Sequence, residues 1–278
     1  MSSPVVVGYD GSPEAQEALR WAAQEAGRTH RPLRLVHVGL GQGGAQSLSD
    51  GVERARTVAP GVEVTSALDL GASIAGALVD QSTGAHLLVV GARGLGGFAG
   101  LLLGSVSTAV AAHSRCPVVV VRHRPGPSVV PEARPVVVGV DGSMTSLRAV
   151  DLAFDQAAQR RAPLRAVHAW QLPVRLGSAP VWTGSEIEQQ LATEKALLAE
   201  SLAGHMEQYA DVEVLPSVGL GGPAEVVLAA SDDAQLLVVG SRGRGGFRGL
   251  LLGSVSQAVV HHATCPVVVV HPAEPPAV

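Results

Sequence analysis

The sequence repeats itself. Pro4-Val-Val-Val-Gly-Tyr-Asp-Gly-Ser12 returns as Pro135-Val-Val-Val-Gly-Val-Asp-Gly-Ser143, and Leu87-Leu-Val-Val-Gly-Ala-Arg-Gly94 returns as Leu236-Leu-Val-Val-Gly-Ser-Arg-Gly243. Leu101-Leu-Leu-Gly-Ser-Val-Ser107 likewise returns as Leu250-Leu-Leu-Gly-Ser-Val-Ser256. Motifs that recur in the same order constrain the fold more than any average property, because one domain must be used twice. We expect a first domain over 1–123, a linker over 124–134 and a second domain over 135–272. Arg122-His-Arg-Pro-Gly-Pro-Ser-Val-Val-Pro131 is rich in residues that break regular structure, which is why the linker falls there. The offset between paired motifs grows from 131 to 149, so the second copy carries 18 extra residues in its middle.

Within each copy, short Val/Leu runs alternate with longer helical patterns, the signature of βαβ units and a parallel sheet. In the first copy strands are expected near 4–8, 33–38, 62–67, 86–91 and 117–121. Ser12 is placed to cap the first helix, Pro13 suits its first turn, and Ala15, Ala18, Leu19 and Ala22 recur at helical spacing. In the first copy the glycine-rich segment from Gly39 to Ser49 speaks against a second helix; its counterpart, Glu186 to Tyr209, is long and well patterned. The fold class is α/β: two tandem open five-stranded parallel sheets, order 3-2-1-4-5, flanked by helices.

Composition narrows the function classes. Aromatic residues are 3% of the chain and the formal net charge is −4, which disfavours both a base-stacking platform and a basic nucleic-acid footprint. Apolar runs such as Val118 to Val121 are far shorter than the roughly 20 residues of a membrane helix, and Met1 to Pro4 leads directly into a strand with no basic or cleavable segment. Two cysteines make no disulfide framework. The expected location is the cytoplasm, with neither nucleic acid nor membrane as partner.

The chemistry is expected after the fourth strand of each copy. Gly91-Ala-Arg-Gly94 is followed, nine residues on, by Gly104-Ser105, and Gly240-Ser-Arg-Gly243 at the same spacing by Gly253-Ser254. Glycines let backbone N–H groups approach an anion, and Ser105-Val106-Ser107 or Ser254-Val255-Ser256 then open a helix whose N-terminus adds donors and a positive dipole end. That combination makes a phosphate cradle, the alternative being that the glycines serve only tight turns. It is not the P-loop, since no lysine follows the last glycine. Gly8 with Asp10, and Gly139 with Asp141, end the first strands and face the same switch point of the sheet. Each aspartate meets a ribose hydroxyl or a Mg²⁺ on the phosphates, or else bonds its own backbone in the Asp-Gly-Ser turn.

These motifs resemble the universal stress protein family in its tandem two-domain, ATP-binding form, over about residues 4–121 and 135–270. The resemblance implies an adenine nucleotide alpha hydrolase-like fold with one ATP site per domain, Mg²⁺ being a candidate companion ion. It assigns ATP contacts to Gly8, Asp10, Gly91, Arg93, Gly94, Gly97, Gly104, Ser105, Val106 and Ser107, with Val38 reading adenine through its backbone after His37. In the second copy it assigns them to Gly139, Asp141, Gly240, Arg242, Gly243, Gly246, Gly253, Ser254, Val255 and Ser256, with Ala169 after His168. The third helix of the second copy keeps the family's Gly-x-Pro opening in Gly221-Gly222-Pro223, whereas Gly71-Ala72-Ser73 has lost the proline. Arg242, Arg244 and Arg248 either strengthen the second site for a triphosphate or are solvated loop charges.

Neither copy offers a nucleophile elbow or an evident catalytic dyad, so the expected role is an ATP-binding stress or dormancy regulator without catalytic or metal-ligating residues. A slow ATP hydrolase and a nucleotide-independent scaffold are the alternatives. His113-Ser-Arg-Cys116 and His262-Ala-Thr-Cys265 supply too few ligands for zinc. The apolar fifth strands, Pro117 to Val121 and Pro266 to Val270, would be aggregation-prone edges unless covered or paired. The family resemblance implies pairing through this strand, hence a pseudo-dimer of the two domains, with a homodimer through strand five as a further expectation that the composition does not demand.

Overall fold

A computed structural model describes residues 2–39, 43–96, 102–123, 134–172, 182–245 and 252–272. The expected linker lies almost wholly outside these residues, as do Gly97, Gly246 and Arg248. By internal contact the chain forms two units, one of residues 1–129 with 260–278, the other of residues 130–259.

The first unit is built on β1 (Val5–Gly8), β2 (Leu33–Val38), β3 (Val64–Asp69), β4 (Leu87–Gly91) and β5 (Val118–Val121). They lie in the order β3-β2-β1-β4-β5, all parallel, with Val5 opposite both Leu33 and Leu87. This is the 3-2-1-4-5 order expected from the repeat. Val5, Val7, Leu33, Leu35, Leu88, Val89, Val118 and Val119 are fully buried, as the strands of a parallel sheet covered on both faces must be. A sixth strand, β10 (Val267–Val270), joins this sheet antiparallel to β5, with Val268 opposite Val119. β5 therefore has β4 on one side and β10 on the other. The expected homodimer contact through strand five finds no open edge at β5, because the chain's own later strand fills it.

Helix α1 (Pro13–Thr29) starts as its sequence dictates: the Ser12 hydroxyl accepts a bond from the Ala15 N–H at 3.2 Å, and Pro13 occupies the first turn. Its face of Ala15, Ala18, Leu19, Ala22 and Ala26 is buried. Helix α2 (Gly44–Val58) forms despite its glycines. A Cβ at Gly51 would stand 2.9 Å from Leu35 and Tyr9, and one at Gly44 2.8 Å from the His37 ring. Those glycines permit close helix–sheet contact, which offsets their poor helix propensity. Helix α3 (Ile74–Gln81) lacks the opening proline, and Ser73 replaces it as a cap by accepting from the Gly76 N–H at 3.2 Å. Helix α4 (Ser105–His113) precedes β5.

The second unit carries β6 (Val136–Gly139), β7 (Leu164–Trp170), β8 (Val214–Leu220) and β9 (Leu236–Gly240) in the order β9-β6-β7-β8, again parallel. Helix α5 (Met144–Arg160) is capped by Ser143, as α1 is by Ser12. Helix α6 (Gly184–Gln208) begins with a capping box in which Thr183 and Glu186 satisfy each other's backbone N–H groups. Helix α7 (Pro223–Ala230) keeps its proline in the first turn. Helix α8 (Ser254–His262) follows the second glycine loop.

Among the described residues, no helix is long and apolar enough to cross a membrane. Cys116 and Cys265 are buried, and burial pushes the Cys116 thiol up to about 12, which suits a packed hydrophobe better than a metal ligand.

Candidate functional site

In the first unit the carboxyl ends of β1 and β4, the N-terminus of α4 and one face of α3 enclose a cavity of about 680 Å³. Its position is where connections diverge from neighbouring strands, the place ligands occupy in open α/β sheets. Ten of the residues expected to contact nucleotide line it: Gly8, Asp10, Val38, Gly91, Arg93, Gly94, Gly104, Ser105, Val106 and Ser107.

The three glycines of the loop have different reasons to be glycine. A Cβ at Gly91 would stand 2.8 Å from the main-chain carbon of Glu14, so Gly91 lets α1 pack against β4. A Cβ at Gly94 would stand 2.5 Å from Asp10 Oδ2. Gly104 differs: a Cβ there would meet only ordinary contacts at 3.5 Å and beyond, and its φ of −80° suits any residue. The fold does not require glycine at 104. What glycine does there is leave α4 without a side-chain cap, so its first-turn N–H groups face the cavity unshielded.

Asp10 braces the cradle. Its Oδ1 accepts from the Ser12 N–H at 2.9 Å, across a turn in which Gly11 adopts φ +82°, and its Oδ2 accepts from the Leu95 N–H at 3.0 Å. The local turn bond and the reach to the other loop are both present. Ser107 donates its hydroxyl to the Gly91 carbonyl at 2.7 Å, and the Gly104 N–H donates to the Ala92 carbonyl at 2.8 Å, closing the loop upon itself. Opposite the cradle, Val36, Val38, Ile74 and Leu78 supply an aliphatic wall. His37 Nδ1 bonds the Tyr9 carbonyl at 2.9 Å, pinning the end of β2 to the β1 turn.

A model of the universal stress protein family matches residues 1–51, 42–122 and 132–271. The chain belongs to that family. It is 40% identical to a universal stress protein of Mycolicibacterium smegmatis, over 96% of this chain and 97% of that one. It is 39% identical to a universal stress protein of Mycobacterium tuberculosis, over 95% of both chains. Among solved structures, a universal stress protein from Archaeoglobus fulgidus superposes with a TM-score of 0.71 over 98% of this chain and 99% of that chain, at 19% identity.

The second repeat of this universal stress protein rebuilds the brace. Asp141 accepts from the Ser143 N–H and from the Arg244 N–H, each at 2.9 Å, over a turn in which Gly142 has φ +74°. Burial alone would raise its pKa, but bonds from Ser143, Arg244 and Ser146 outweigh burial and hold the carboxyl below the ordinary aspartate value. The Ser256 hydroxyl donates to the Ser241 carbonyl at 2.9 Å, and the Gly253 N–H donates to the same carbonyl at 2.8 Å. Gly240 repeats the packing role of Gly91, here against Thr145, while Gly253 has ordinary contacts like Gly104. Gly139 ends β6, Ala169 lies in β7, Arg242 and Gly243 follow β9, and Ser254 and Val255 open α8.

The repeats differ around the second-strand histidine. His168 Nδ1 bonds the Val140 carbonyl at 2.7 Å, and Nε2 bonds Glu194 of α6 at 2.8 Å. Burial opposes ionisation of Glu194, but its bonds to His168 and Gln190 hold it below the ordinary glutamate value.

One charged residue beside the first cradle escaped the sequence reading. Glu14, only 9% exposed, accepts two bonds from the Arg93 guanidinium at 3.0 and 2.6 Å. Nothing in the aligned segment marks it, since every residue from Pro13 to Glu17 differs from its counterpart in Met144 to Arg148.

Proposed function

We propose that this universal stress protein binds adenine nucleotide, one ATP per repeat, and that occupancy changes its conformation or its affinity for a regulatory protein partner under stress or dormancy. The observation that carries this reading is Gly104. It is a glycine the fold does not need, at the uncapped start of α4, on the wall of a cavity sized for a nucleotide. Phosphates would lie against the first-turn N–H groups of α4, and adenine between the aliphatic wall and the main chain at Val38.

Asp10 and Asp141 would act by holding the loops in shape. Both oxygens of each already accept backbone bonds, so any Mg²⁺ would be held chiefly by phosphate oxygens and water.

Native mass spectrometry of freshly purified protein, followed by incubation of any bound ATP with Mg²⁺, tests the reading. Two retained ATP molecules without turnover are expected. Protein that is empty and indifferent to added ATP overturns the proposal in favour of a scaffold, and steady release of ADP and phosphate replaces it with slow hydrolysis.

A further inference from the structure

The two cradles carry the same loop on different electrostatic foundations. In the first, Arg93 is paired with Glu14, a nearly buried carboxylate in the first turn of α1. The two charges oppose each other at the base of the loop. In the second, the position of Glu14 is taken by Thr145, whose hydroxyl donates to the Arg242 main-chain carbonyl. No anionic side chain among the described residues is paired with the Arg242 guanidinium.

The next loop position widens the difference. Leu95 is 74% exposed, whereas Arg244 in its place lays its guanidinium over the Asp-Gly-Ser turn, so that a Cβ at Gly142 would stand 2.5 Å from Nη2. Other charges face these loops. Glu194 lies within electrostatic reach of Arg244, but its hydrogen bonds go to His168 and Gln190. Near the first loop, Arg122 spends its donors on the carbonyls of Leu102, Val260 and His261, each at 2.6 Å.

Building on the nucleotide reading above, we propose that residues 14 and 145 make the sites unequal toward phosphate charge. Both take ATP, but the second prefers the triphosphate over the monophosphate more strongly than the first. Each added phosphate brings negative charge toward the loop. At the first site it meets a guanidinium already neutralised by a carboxylate that water screens poorly; at the second it meets guanidinium donors that no carboxylate among the described residues bonds. The cradle geometry, common to both, sets only the shared affinity for a first phosphate.

Titration calorimetry with ATP and AMP on single-site proteins tests this, using Gly253→Val to leave the first site and Gly104→Val to leave the second. The ATP-to-AMP affinity ratio is expected to be about tenfold or more higher at the second site, the gap narrowing at high salt. Glu14→Thr should raise the ratio at the first site toward that of the second. Thr145→Glu should lower it at the second, giving an independent arm should Glu14→Thr fail to fold. Equal ratios at the two sites, or a first-site ratio unmoved by Glu14→Thr and a second-site ratio unmoved by Thr145→Glu, overturn the proposal while leaving nucleotide binding intact. Failure of both nucleotides to bind at both sites overturns the functional reading as well.

Discussion

The carboxylate of Asp10 accepts the backbone N–H of Leu95 at 3.0 Å, so the turn that ends β1 holds the loop that follows β4. Asp141 and Arg244 repeat the bond at 2.9 Å. A charge-assisted bond between loops so distant in sequence fixes where the helix N-terminus beyond the second loop can sit.

The two loop glycines should therefore fail differently. Gly94→Ala drives a methyl into Asp10 Oδ2 and should lower stability by about 1–3 kcal/mol in chemical denaturation. Gly104→Ala meets only ordinary contacts and should change stability by no more than about 0.5 kcal/mol. It should nonetheless weaken nucleotide binding in calorimetry, because its methyl occupies the approach to α4.

Asp141 has a depressed pKa, so the stability it contributes is fully present above the ordinary aspartate value of about 3.9 and is lost as pH falls through its lower folded value. Asp141→Asn should cost about 1 kcal/mol at pH 7. Denaturant titrations repeated downward in pH should show wild type and variant converging only below the ordinary aspartate range; convergence already near neutrality would contradict the assignment.

Arg122 joins the Leu102 carbonyl, two residues before Gly104, to the carbonyls of Val260 and His261. Burial and the neighbouring Arg93 lower its pKa, so its charge is held at some cost. Arg122→Ala should destabilise the first unit by about 1–3 kcal/mol, and Arg122→Lys should rescue it poorly because an ammonium lacks the planar fork that reaches three acceptors. Hydrogen exchange should quicken first at residues 102–104 and 260–262.

Phe154 is fully buried between α5 and α6, stacked on His205 at 5.2 Å and on Tyr209 at 5.4 Å. Phe154→Ala should cost about 3–5 kcal/mol in guanidinium unfolding of the second unit. His205 and Tyr209 also bond Asp151 and Asp155, so the loss should propagate along α6.

Strand positions were legible because a buried parallel strand is an unbroken apolar run, and the five runs of the first repeat coincide with β1 to β5 within two or three residues. Gly44 lies in the glycine-rich run from Gly39 to Ser49 that speaks against α2 in the sequence; its purpose, like that of Gly51, shows only against Leu35, Tyr9 and His37, which the sequence does not place beside them. Asp10 was readable as a turn residue, since Ser12 is two positions away, while its bond to Leu95 depends on how β1 and β4 pair. Likewise Val267 to Val270 was readable as a strand, but identical valine runs carry no label for the neighbour they choose.

That choice has a consequence for how the protein is made. The strand that closes the edge of β5 lies after residue 266, so throughout translation of the second repeat the first carries an open row of valine backbone. The unit synthesised first is the one completed last, since its final strand emerges from the ribosome after the other repeat's β6 to β9. A polypeptide released early by stalled synthesis would keep that row exposed, marking truncated products for chaperones or for clumping while the full-length chain hides it.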